Sequence, residues 1–239
     1  MSAPLFLVAV TGSLGCGKSR VSHWLAAQGA HLLDADQDAR AALLPGSPAW
    51  QAVVAHFGPE ILLGEESLSQ RPIDRRRLGE IVFRDRAARQ TLEALLHPRI
   101  YQRQALALAR WQQEAPPGRT VLVVAEIPLL FETASADRFD SSVAVLCGAA
   151  QADRLQERTG MSAAIRQAVI AQQLPEPEKE RLAQHRIDNS GPWEATEAQL
   201  RPVWQSVQRQ ASDPARLARL AWPHRWPESQ AGAAGPAAG

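Results

Sequence analysis

Short runs of apolar residues, unbroken by polar ones, recur along the chain and predict its β-strands. The clearest runs cover residues 5–10, 121–125 and 143–146. A continuous aliphatic run of this length is typical of a parallel strand that is buried on both faces. A shorter run at 31–33 is followed by acidic residues, and segment 185–189 is a candidate for a short last strand. The pattern predicts an α/β fold with a parallel sheet.

Between these runs, apolar residues follow helical spacing. Segment 19–25 predicts a first helix, which Gly29 would end. Residues from about 39 to 114 form a largely helical stretch that is too long for a simple connection between two strands. Residues 151–173 predict one or two helices, and residues 196–210 predict a final one. We therefore expect a sheet interrupted by one long helical insert.

The composition restricts the class of protein without identifying it. The 239 residues include 26 basic and 25 acidic side chains in mixed order, so the net charge of +1 does not favour nucleic acid or a membrane surface as a partner. The two cysteines, Cys16 and Cys147, belong to no disulfide or zinc pattern, which fits a reducing compartment. No apolar stretch approaches the roughly 18 residues of a membrane span, so we expect a soluble, cytoplasmic protein.

The most specific motif lies between the first strand and the first helix. Residues 12–19 read GSLGCGKS and match G-x-x-x-x-G-K-[ST] in the strand-then-helix context that this phosphate-binding motif requires. The glycines allow backbone N–H groups to surround phosphate oxygens, and the N-terminus of the following helix favours the same anion. The chain has only one other lysine, Lys179, so a chance match is rare. The candidate nucleotide-binding residues are Gly12, Gly15, Cys16, Gly17, Lys18, Ser19 and Arg20.

Two residues at the end of this loop define the expected cofactors. Lys18 would reach the β- and γ-phosphates of a nucleoside triphosphate, and the Ser19 hydroxyl would bind Mg²⁺. Magnesium bridges phosphate oxygens and neutralises the charge that develops during phosphoryl transfer. ATP with Mg²⁺ is therefore the expected pair, and Lys18 is both a binding and a catalytic candidate.

The loop alone does not separate hydrolases, switches and kinases, so other residues must do so. The sequence lacks the N-K-x-D segment typical of GTP-binding switches, which favours a small-molecule kinase. Such a kinase needs a carboxylate near the acceptor hydroxyl, and Asp36, just after the second predicted strand, is the candidate catalytic base. Its alternative role is that of a helix N-cap. Asp34 and Asp38 are weaker candidates for the base.

Other charged residues have candidate roles around the phosphates. Glu126 follows the run at 121–125, where it could orient Mg²⁺ through water in the manner of a Walker-B acid, or form an ion pair within the fold. Arg154 and Arg158 lie four residues apart and share one face of a predicted helix, from which they would close over the phosphates or face solvent. The arginine run at 75–77 could meet an anionic acceptor or form solvated surface.

Two further residues are interpreted as structural. His97 has no metal-ligating neighbour in the sequence and precedes Pro98, so it fits a position before a turn or a helix start. Cys16 lies inside the phosphate-binding segment, where it serves as a small residue.

Several segments, taken in order, make the chain resemble the dephospho-coenzyme A kinase family up to about residue 200. The segments are TGSLGCGKS at 11–19, DAD at 34–36 with Ala39 and Arg40, IDR at 73–75, LG at 78–79, VF at 82–83, HP at 97–98, PLLFE at 128–132 and IDN at 187–189. The phosphate-binding motif is shared by a whole superfamily. DAD, HP and PLLFE in this order are much more specific.

This resemblance implies the activity and the architecture of the family. The activity is ATP-dependent phosphorylation of the ribose 3′-hydroxyl of dephospho-coenzyme A, the small-molecule substrate, in the last step of coenzyme A synthesis. The architecture is a three-layer P-loop kinase core with a five-stranded parallel sheet, a helical acceptor-binding insert at about 39–114 and a lid at about 150–173. Residues 1–210 would form this single domain. Residues 211–239 would be a C-terminal extension whose end, rich in Ala, Gly and Pro, is expected to be disordered.

The resemblance also assigns roles by position and exposes two departures from the family pattern. The implied assignments are Lys18 and Ser19 for the phosphate and Mg²⁺ site, Asp36 for the base, and Arg154 or Arg158 for the lid. Ser13 stands where the family usually has a second glycine, and Arg20 where it usually has threonine. Ser13 would strain the turn if its φ were positive. Arg20 could alter nucleotide affinity.

Two alternatives remain open from the sequence. Another small-molecule or nucleotide kinase on the same fold would keep the phosphate-binding segment and change the acceptor insert. An ATP-binding regulatory protein without turnover would account for the departures at Ser13 and Arg20. Profiling of acceptors separates the first alternative, and ATP binding without phosphoryl transfer would support the second.

Overall fold

A parallel sheet organises the protein, as described by a computed structural model that covers residues 3–157, 163–213 and 215. Its strands are Leu5–Gly12 (β1), His31–Leu33 (β2), Val121–Glu126 (β3), Ser141–Leu146 (β4) and His185–Asp188 (β5). They pair in parallel in the order β2-β3-β1-β4-β5. The predicted α/β class with a five-stranded parallel sheet is confirmed.

The central strand β1 is buried along its whole length. It pairs with β3 on one side, where Val8 lies opposite Val124, and with β4 on the other, where Val10 lies opposite Val143. A strand without a solvent-facing side is apolar at consecutive positions, which explains the unbroken aliphatic runs in the sequence. Because all five strands are parallel, their C-terminal ends meet at one edge of the sheet, where α/β proteins bind ligands. We call this the carboxyl edge.

Helices connect the strands. In the described part of the chain they are Lys18–Ala27 (α1), Ala35–Ala42 (α2), Pro48–Phe57 (α3), Arg75–Arg84 (α4), Arg86–Glu114 (α5), Ala150–Glu157 (α6), Ala163–Ala171 (α7), Glu176–Leu182 (α8) and Trp193–Ala211 (α9). Polar side chains mark several of their starts. The Ser47 hydroxyl accepts a hydrogen bond from the backbone N–H of Trp50 at the start of α3, and Asp74 caps α4 in the same way.

The chain divides into two compact units, of which the first contains the sheet. In its described part this unit comprises residues 3–33, 108–157, 163–213 and 215. Its core joins β1 to side chains from α1 and α9, among them Val21, Leu25 and Trp204. The two helices are thereby fixed against the sheet, and the turn that precedes α1 is held at the carboxyl edge.

The second unit has a core of its own. In its described part it is Asp34–Ala107. The core includes Trp50 of α3 and Leu78 of α4. The indole N–H of Trp50 donates a 3.0 Å hydrogen bond to the carbonyl of Arg71. This unit overlaps the segment that the sequence predicts as the acceptor-binding insert, a role that stays a prediction.

One expectation about this unit is wrong. Pro98 lies inside α5, so His97 precedes neither a turn nor a helix start. Leu96 and Ile100 flank the proline and are both buried in the core of the second unit. Burying each stabilises the fold by roughly 1.5–3 kcal/mol, and together they offset the roughly 3 kcal/mol that an internal proline costs. His97 itself is exposed beside the ring of Tyr101.

Some expectations fall outside the described residues. The segment predicted to be helical at 151–173 contains α6 and α7, but Gly160 between them is not among the described positions, and neither is the tail from 227. No helix in the described part of the chain combines the length and apolarity that a bilayer span requires.

Candidate active site

Residues 12–17, which lead from the end of β1 into α1 and which we call the phosphate loop, have the backbone that their glycines allow. Gly12 and Gly17 have φ values of 145° and 91°, which residues with a side chain rarely adopt. A Cβ atom at Gly17 would also collide with the Asn189 side chain. Among the described residues, Ala134 is the one non-glycine position with a positive φ, so Ser13 does not carry the strain considered for it.

Lys18 and Ser19 begin α1 with their polar groups at the carboxyl edge. The Lys18 ammonium donates hydrogen bonds to the carbonyls of Gly12 and Ser13 at 3.0 and 2.9 Å. The Ser19 hydroxyl donates to Oε2 of Glu126, at the end of β3, at 3.0 Å. The sheet therefore brings together a lysine, a hydroxyl and a carboxylate that were predicted separately, which is the donor set expected around a triphosphate.

Arg20 and Cys16 have structural contacts that sequence reasoning did not find. The Arg20 guanidinium lies 4.0 Å from the ring centroid of Trp193, a cation–π contact between α1 and α9. Cys16 is fully buried, and burial raises the pKa of its thiol. Cys16 thus fits the role of a small core residue. The direct nucleotide contacts predicted for Arg20 and Cys16 remain predictions.

Asn189, just past β5, ties the phosphate loop to the neighbouring part of the sheet. Its side-chain N–H donates to the carbonyl of Cys16 at 2.7 Å, and its Oδ1 accepts from the Thr196 hydroxyl at 2.9 Å. All three residues are buried. The sequence contained the signal, an IDN segment shared with the family, but no local pattern assigned it this partner.

A buried ion pair stabilises the loop that follows β3. The Lys179 ammonium lies 2.8 Å from Oε1 of Glu132, and the Lys179 side chain is fully buried. Lys179 also donates to the carbonyl of Pro128 at 3.0 Å. Burial alone would raise the pKa of Glu132, but hydrogen bonds from Lys179 and from the backbone N–H of Leu174 hold that pKa below its ordinary value. The lysine that sequence reasoning left without a role is therefore part of the site's framework.

Glu176, at the start of α8, holds the segment that follows β4. Its two carboxylate oxygens accept hydrogen bonds from the backbone N–H groups of Cys147 and Gly148, each at 2.9 Å. Burial, followed by the charge of Glu176, raises the pKa of the Cys147 thiol to about 12. Cys147 is therefore a neutral, buried thiol at physiological pH.

The predicted lid arginines are only partly described. Arg154 lies on α6 and is half-buried. The same helix packs on the phosphate loop through Leu155. A Cβ atom added to Gly15 would lie only 3.0 Å from Cδ2 of Leu155, so this side chain lies directly against the glycine. Arg158 lies outside the described residues. Phosphate contacts by either arginine remain a prediction.

The acidic cluster of the second unit has divided roles. Asp34 is the N-cap of α2, since its Oδ1 accepts a 2.9 Å hydrogen bond from the backbone N–H of Gln37. Asp38 forms a 3.3 Å ion pair with Arg103. Asp36 is exposed in the first turn of α2, so it is not the cap that the alternative interpretation suggested. The run at 75–77 is exposed at the start of α4.

The residues present fit a magnesium ion whose ligands come partly from the protein and partly from the phosphates of a bound nucleotide. No group of three or more His, Cys, Asp or Glu side chains that could hold a metal occurs in the described residues. Mg²⁺, however, takes oxygen ligands, and usually only one or two from protein carboxylates besides water and substrate phosphates. The Ser19 hydroxyl and the Glu126 carboxylate, 3.0 Å apart, are donors of this kind.

A parallel sheet with a phosphate loop between its central strand and the following helix, and with Lys18 and Ser19 at the carboxyl edge, defines a P-loop nucleotide-binding fold. The sequence model of the family described as dephospho-CoA kinase matches residues 6–194. This chain belongs to that family.

Individual relatives and solved structures agree with this assignment. The dephospho-CoA kinase of Geobacter metallireducens is 40% identical over 201 residues, which cover 84% of this chain and 96% of the relative. That of Thermobifida fusca is 38% identical over 203 residues, with the same coverage. A crystal structure from Thermus thermophilus matches with a TM-score of 0.67 at 31% identity and covers 85% of this chain and 98% of its own. Dephospho-CoA kinase from Campylobacter jejuni gives 0.59 at 25% identity, with 86% and 98% covered.

The buried ion pair makes a testable prediction about stability. We expect Glu132→Gln to lower the free energy of unfolding by about 3–5 kcal/mol at neutral pH, because it leaves the Lys179 ammonium buried without a counter-charge. Because the folded-state pKa of Glu132 is lowered, the stabilisation by its carboxylate is complete above the ordinary glutamate pKa. It is lost as the pH falls through the folded-state value. Urea unfolding between acid and neutral pH measures both effects.

A surface ion pair nearby provides the matched control. Glu178 lies 3.0 Å from Arg181 in an exposed pair on α8, so Glu178→Gln should cost less than about 1 kcal/mol. The ion pair would not have the stabilising role described if Glu132→Gln lowered the free energy of unfolding no more than Glu178→Gln does. The same would follow if Glu132→Gln, like the control, kept the acid dependence of the original chain.

Proposed function

We propose that this protein phosphorylates the ribose 3′-hydroxyl of dephospho-CoA with ATP, giving CoA and ADP. The observation that carries the proposal is the phosphate loop with Lys18 and Ser19 at the carboxyl edge of the sheet, in a chain that matches the dephospho-CoA kinase family over residues 6–194. The alternative of a different acceptor on the same fold is disfavoured by that match. The alternative of a protein without turnover relied on Ser13 and Arg20, and neither disturbs the loop.

ATP would bind with its phosphates against the phosphate loop. Backbone N–H groups of the loop and the N-terminus of α1 favour the anion, and the Lys18 ammonium lies close enough to move from loop carbonyls to phosphate oxygens. Catalysis of phosphoryl transfer relies mainly on such positioning and on stabilisation of charge. Lys18 would serve both purposes.

Mg²⁺ would be held by the Ser19 hydroxyl, with Glu126 orienting it directly or through water. When bound, the ion would neutralise part of the phosphate charge. Arg154 and Arg158, in the proposed lid at about 150–173, would add positive charge over the same phosphates. The proposed acceptor-binding insert is the segment at about 39–114. Location in the cytoplasm, without nucleic-acid or membrane partners, remains a prediction.

Asp36 is the proposed general base. It would accept the proton of the 3′-hydroxyl while that oxygen attacks the γ-phosphorus. A new bond forms between the 3′-oxygen and phosphorus, the bond between phosphorus and the β,γ-bridging oxygen breaks, and ADP leaves with that electron pair. Support comes from its exposure three residues beyond the end of β2, where neither a capping bond nor an ion pair occupies it in the described structure.

The first experiment is an acceptor panel. Purified protein would be incubated with ATP, Mg²⁺ and dephospho-CoA, with adenosine, nucleoside monophosphates and shikimate as parallel acceptors, while ADP and CoA are both followed. We expect CoA to form selectively. Selective ADP release with another acceptor would identify a sister kinase, and ATP binding without transfer to any acceptor would favour a non-catalytic protein.

Lys18→Ala tests the phosphate site. We expect at least a hundredfold loss of kcat/KM for ATP, roughly 2.7 kcal/mol, because the variant lacks the ammonium that contacts the transferring group. The variant should keep its thermal midpoint, since the lysine side chain bonds only loop carbonyls and the weak acceptor Cys16 Sγ in the described structure. Activity close to that of the original chain would contradict the assignment.

Asp36→Asn tests the base. The amide keeps the shape but does not accept the hydroxyl proton, so we expect kcat to fall by about 100-fold or more while ATP affinity changes little. Asp38→Asn in the same helix is the matched comparison, and it should lower kcat far less. Full activity of Asp36→Asn would exclude Asp36 as the base.

A further inference from the structure

The backbone of Leu14, in the middle of the phosphate loop, is bound on both sides by glutamine side chains. Its N–H donates a 2.9 Å hydrogen bond to Oε1 of Gln173, and its carbonyl accepts a 2.9 Å hydrogen bond from Nε2 of Gln151. Gln151 lies in the first turn of α6, and Gln173 follows the end of α7. Backbone partners determine which end of each amide must face Leu14, since an N–H needs an acceptor and a carbonyl a donor.

Each of these bonds fixes one peptide plane of the loop. A trans peptide is planar, and its C=O and N–H point in opposite directions; none of the described peptide bonds is cis. The hydrogen bond between Gln173 and the Leu14 N–H therefore orients the Ser13 carbonyl. This carbonyl is one of the two that accept hydrogen bonds from the Lys18 ammonium, at a distance of 2.9 Å. In the same way, the bond from Gln151 to the Leu14 carbonyl orients the N–H of Gly15, which belongs to the next peptide.

Residues near the two glutamines in the sequence have contacts of their own. Next to Gln173, the N–H of Leu174 donates to Glu132 at 2.7 Å, and Glu176 binds the backbone after β4. On the other side, α6 contacts Gly15 through Leu155. When neighbouring residues already restrict the backbone of a glutamine, its side chain can hold a hydrogen-bond partner in place at little further cost in conformational entropy.

We propose that Gln151 and Gln173 are positioning residues for the nucleotide: Gln173 sets the place of the Lys18 ammonium through the Ser13–Leu14 peptide, and Gln151 aims the Gly15 N–H through the Leu14–Gly15 peptide. The inference rests on the proposed role of the phosphate loop in binding ATP. It extends that role to two residues of the segment at 150–173 that neither charge nor motif had marked.

Substitutions at position 173 distinguish the effect of the hydrogen bond on ATP affinity from the effect of a changed side-chain charge. Gln173→Glu keeps an acceptor for the Leu14 N–H, whereas Gln173→Lys does not. Near a bound triphosphate, charge alone predicts the opposite order, with lysine binding ATP better than glutamate. We expect the ATP affinity of Gln173→Glu to stay within about threefold of the original chain, and that of Gln173→Ala and Gln173→Lys to fall roughly tenfold.

Variants at position 151 and a control next to position 173 complete the set of substitutions. Gln151→Ala should also weaken ATP binding roughly threefold to tenfold, while Gln151→Lys, which keeps a donor for the Leu14 carbonyl, should weaken it less. Gln172→Ala is the matched control, because Gln172 adjoins Gln173 and is exposed. ATP affinity would be measured by titration calorimetry, KM and kcat by the transfer assay, and integrity by thermal unfolding.

The outcomes are distinct. An ATP affinity of Gln173→Lys equal to or above that of Gln173→Glu, or a Gln173→Ala variant that matches Gln172→Ala, would overturn the inference. If the original chain binds ATP but transfers no phosphoryl group to dephospho-CoA, the proposed function fails while calorimetry still decides the role of the glutamines. If it binds no ATP, both proposals fall.

Discussion

Irregular backbone at the carboxyl edge of the sheet must have its hydrogen-bonding groups paired, and this requirement shapes the candidate site. An unpaired buried N–H or C=O costs about 1–3 kcal/mol, so each loop that leaves a strand needs partners beyond the sheet. Here side chains supply them: Asn189 binds the phosphate loop, and Glu176 binds the segment after β4. The phosphate loop is thereby fixed in the shape that holds Lys18 in place.

Several of the groups that pair with these loops come from one short stretch between α7 and α8 and from α8 itself. Gln173, Leu174, Glu176 and Lys179 contact the phosphate loop, the loop after β3 and the end of β4. The Lys179 side chain is fully buried and that of Glu132 is largely buried, and such a pair stabilises a structure only while both members are present. A change in this stretch would therefore reach several loops of the site at once, although none of its residues is proposed to touch a reacting atom.

The sequence predicted what depends on local pattern. Buried parallel strands appear as aliphatic runs, and the phosphate loop combines glycines and a lysine at fixed spacing, so the sheet and the place of Lys18 after β1 could be predicted. Lys179 and Gln173 were not, because their partners lie 47 and 159 residues away in the sequence and no periodicity encodes them. The prediction of a turn or helix start at Pro98 was wrong for a related reason. A proline favours a helix boundary by propensity, but packing of Leu96 and Ile100 overrides that preference.

We propose that ATP bound at this loop phosphorylates one particular hydroxyl of dephospho-CoA. The most direct measurement compares transfer from ATP to dephospho-CoA with transfer to its 2′-deoxy and 3′-deoxy ribose analogues, with products identified by mass and ³¹P NMR. We expect phosphorylation of dephospho-CoA and of the 2′-deoxy analogue, and none of the 3′-deoxy analogue. Phosphorylation of the 3′-deoxy analogue, or a product that carries the phosphate elsewhere, would contradict it.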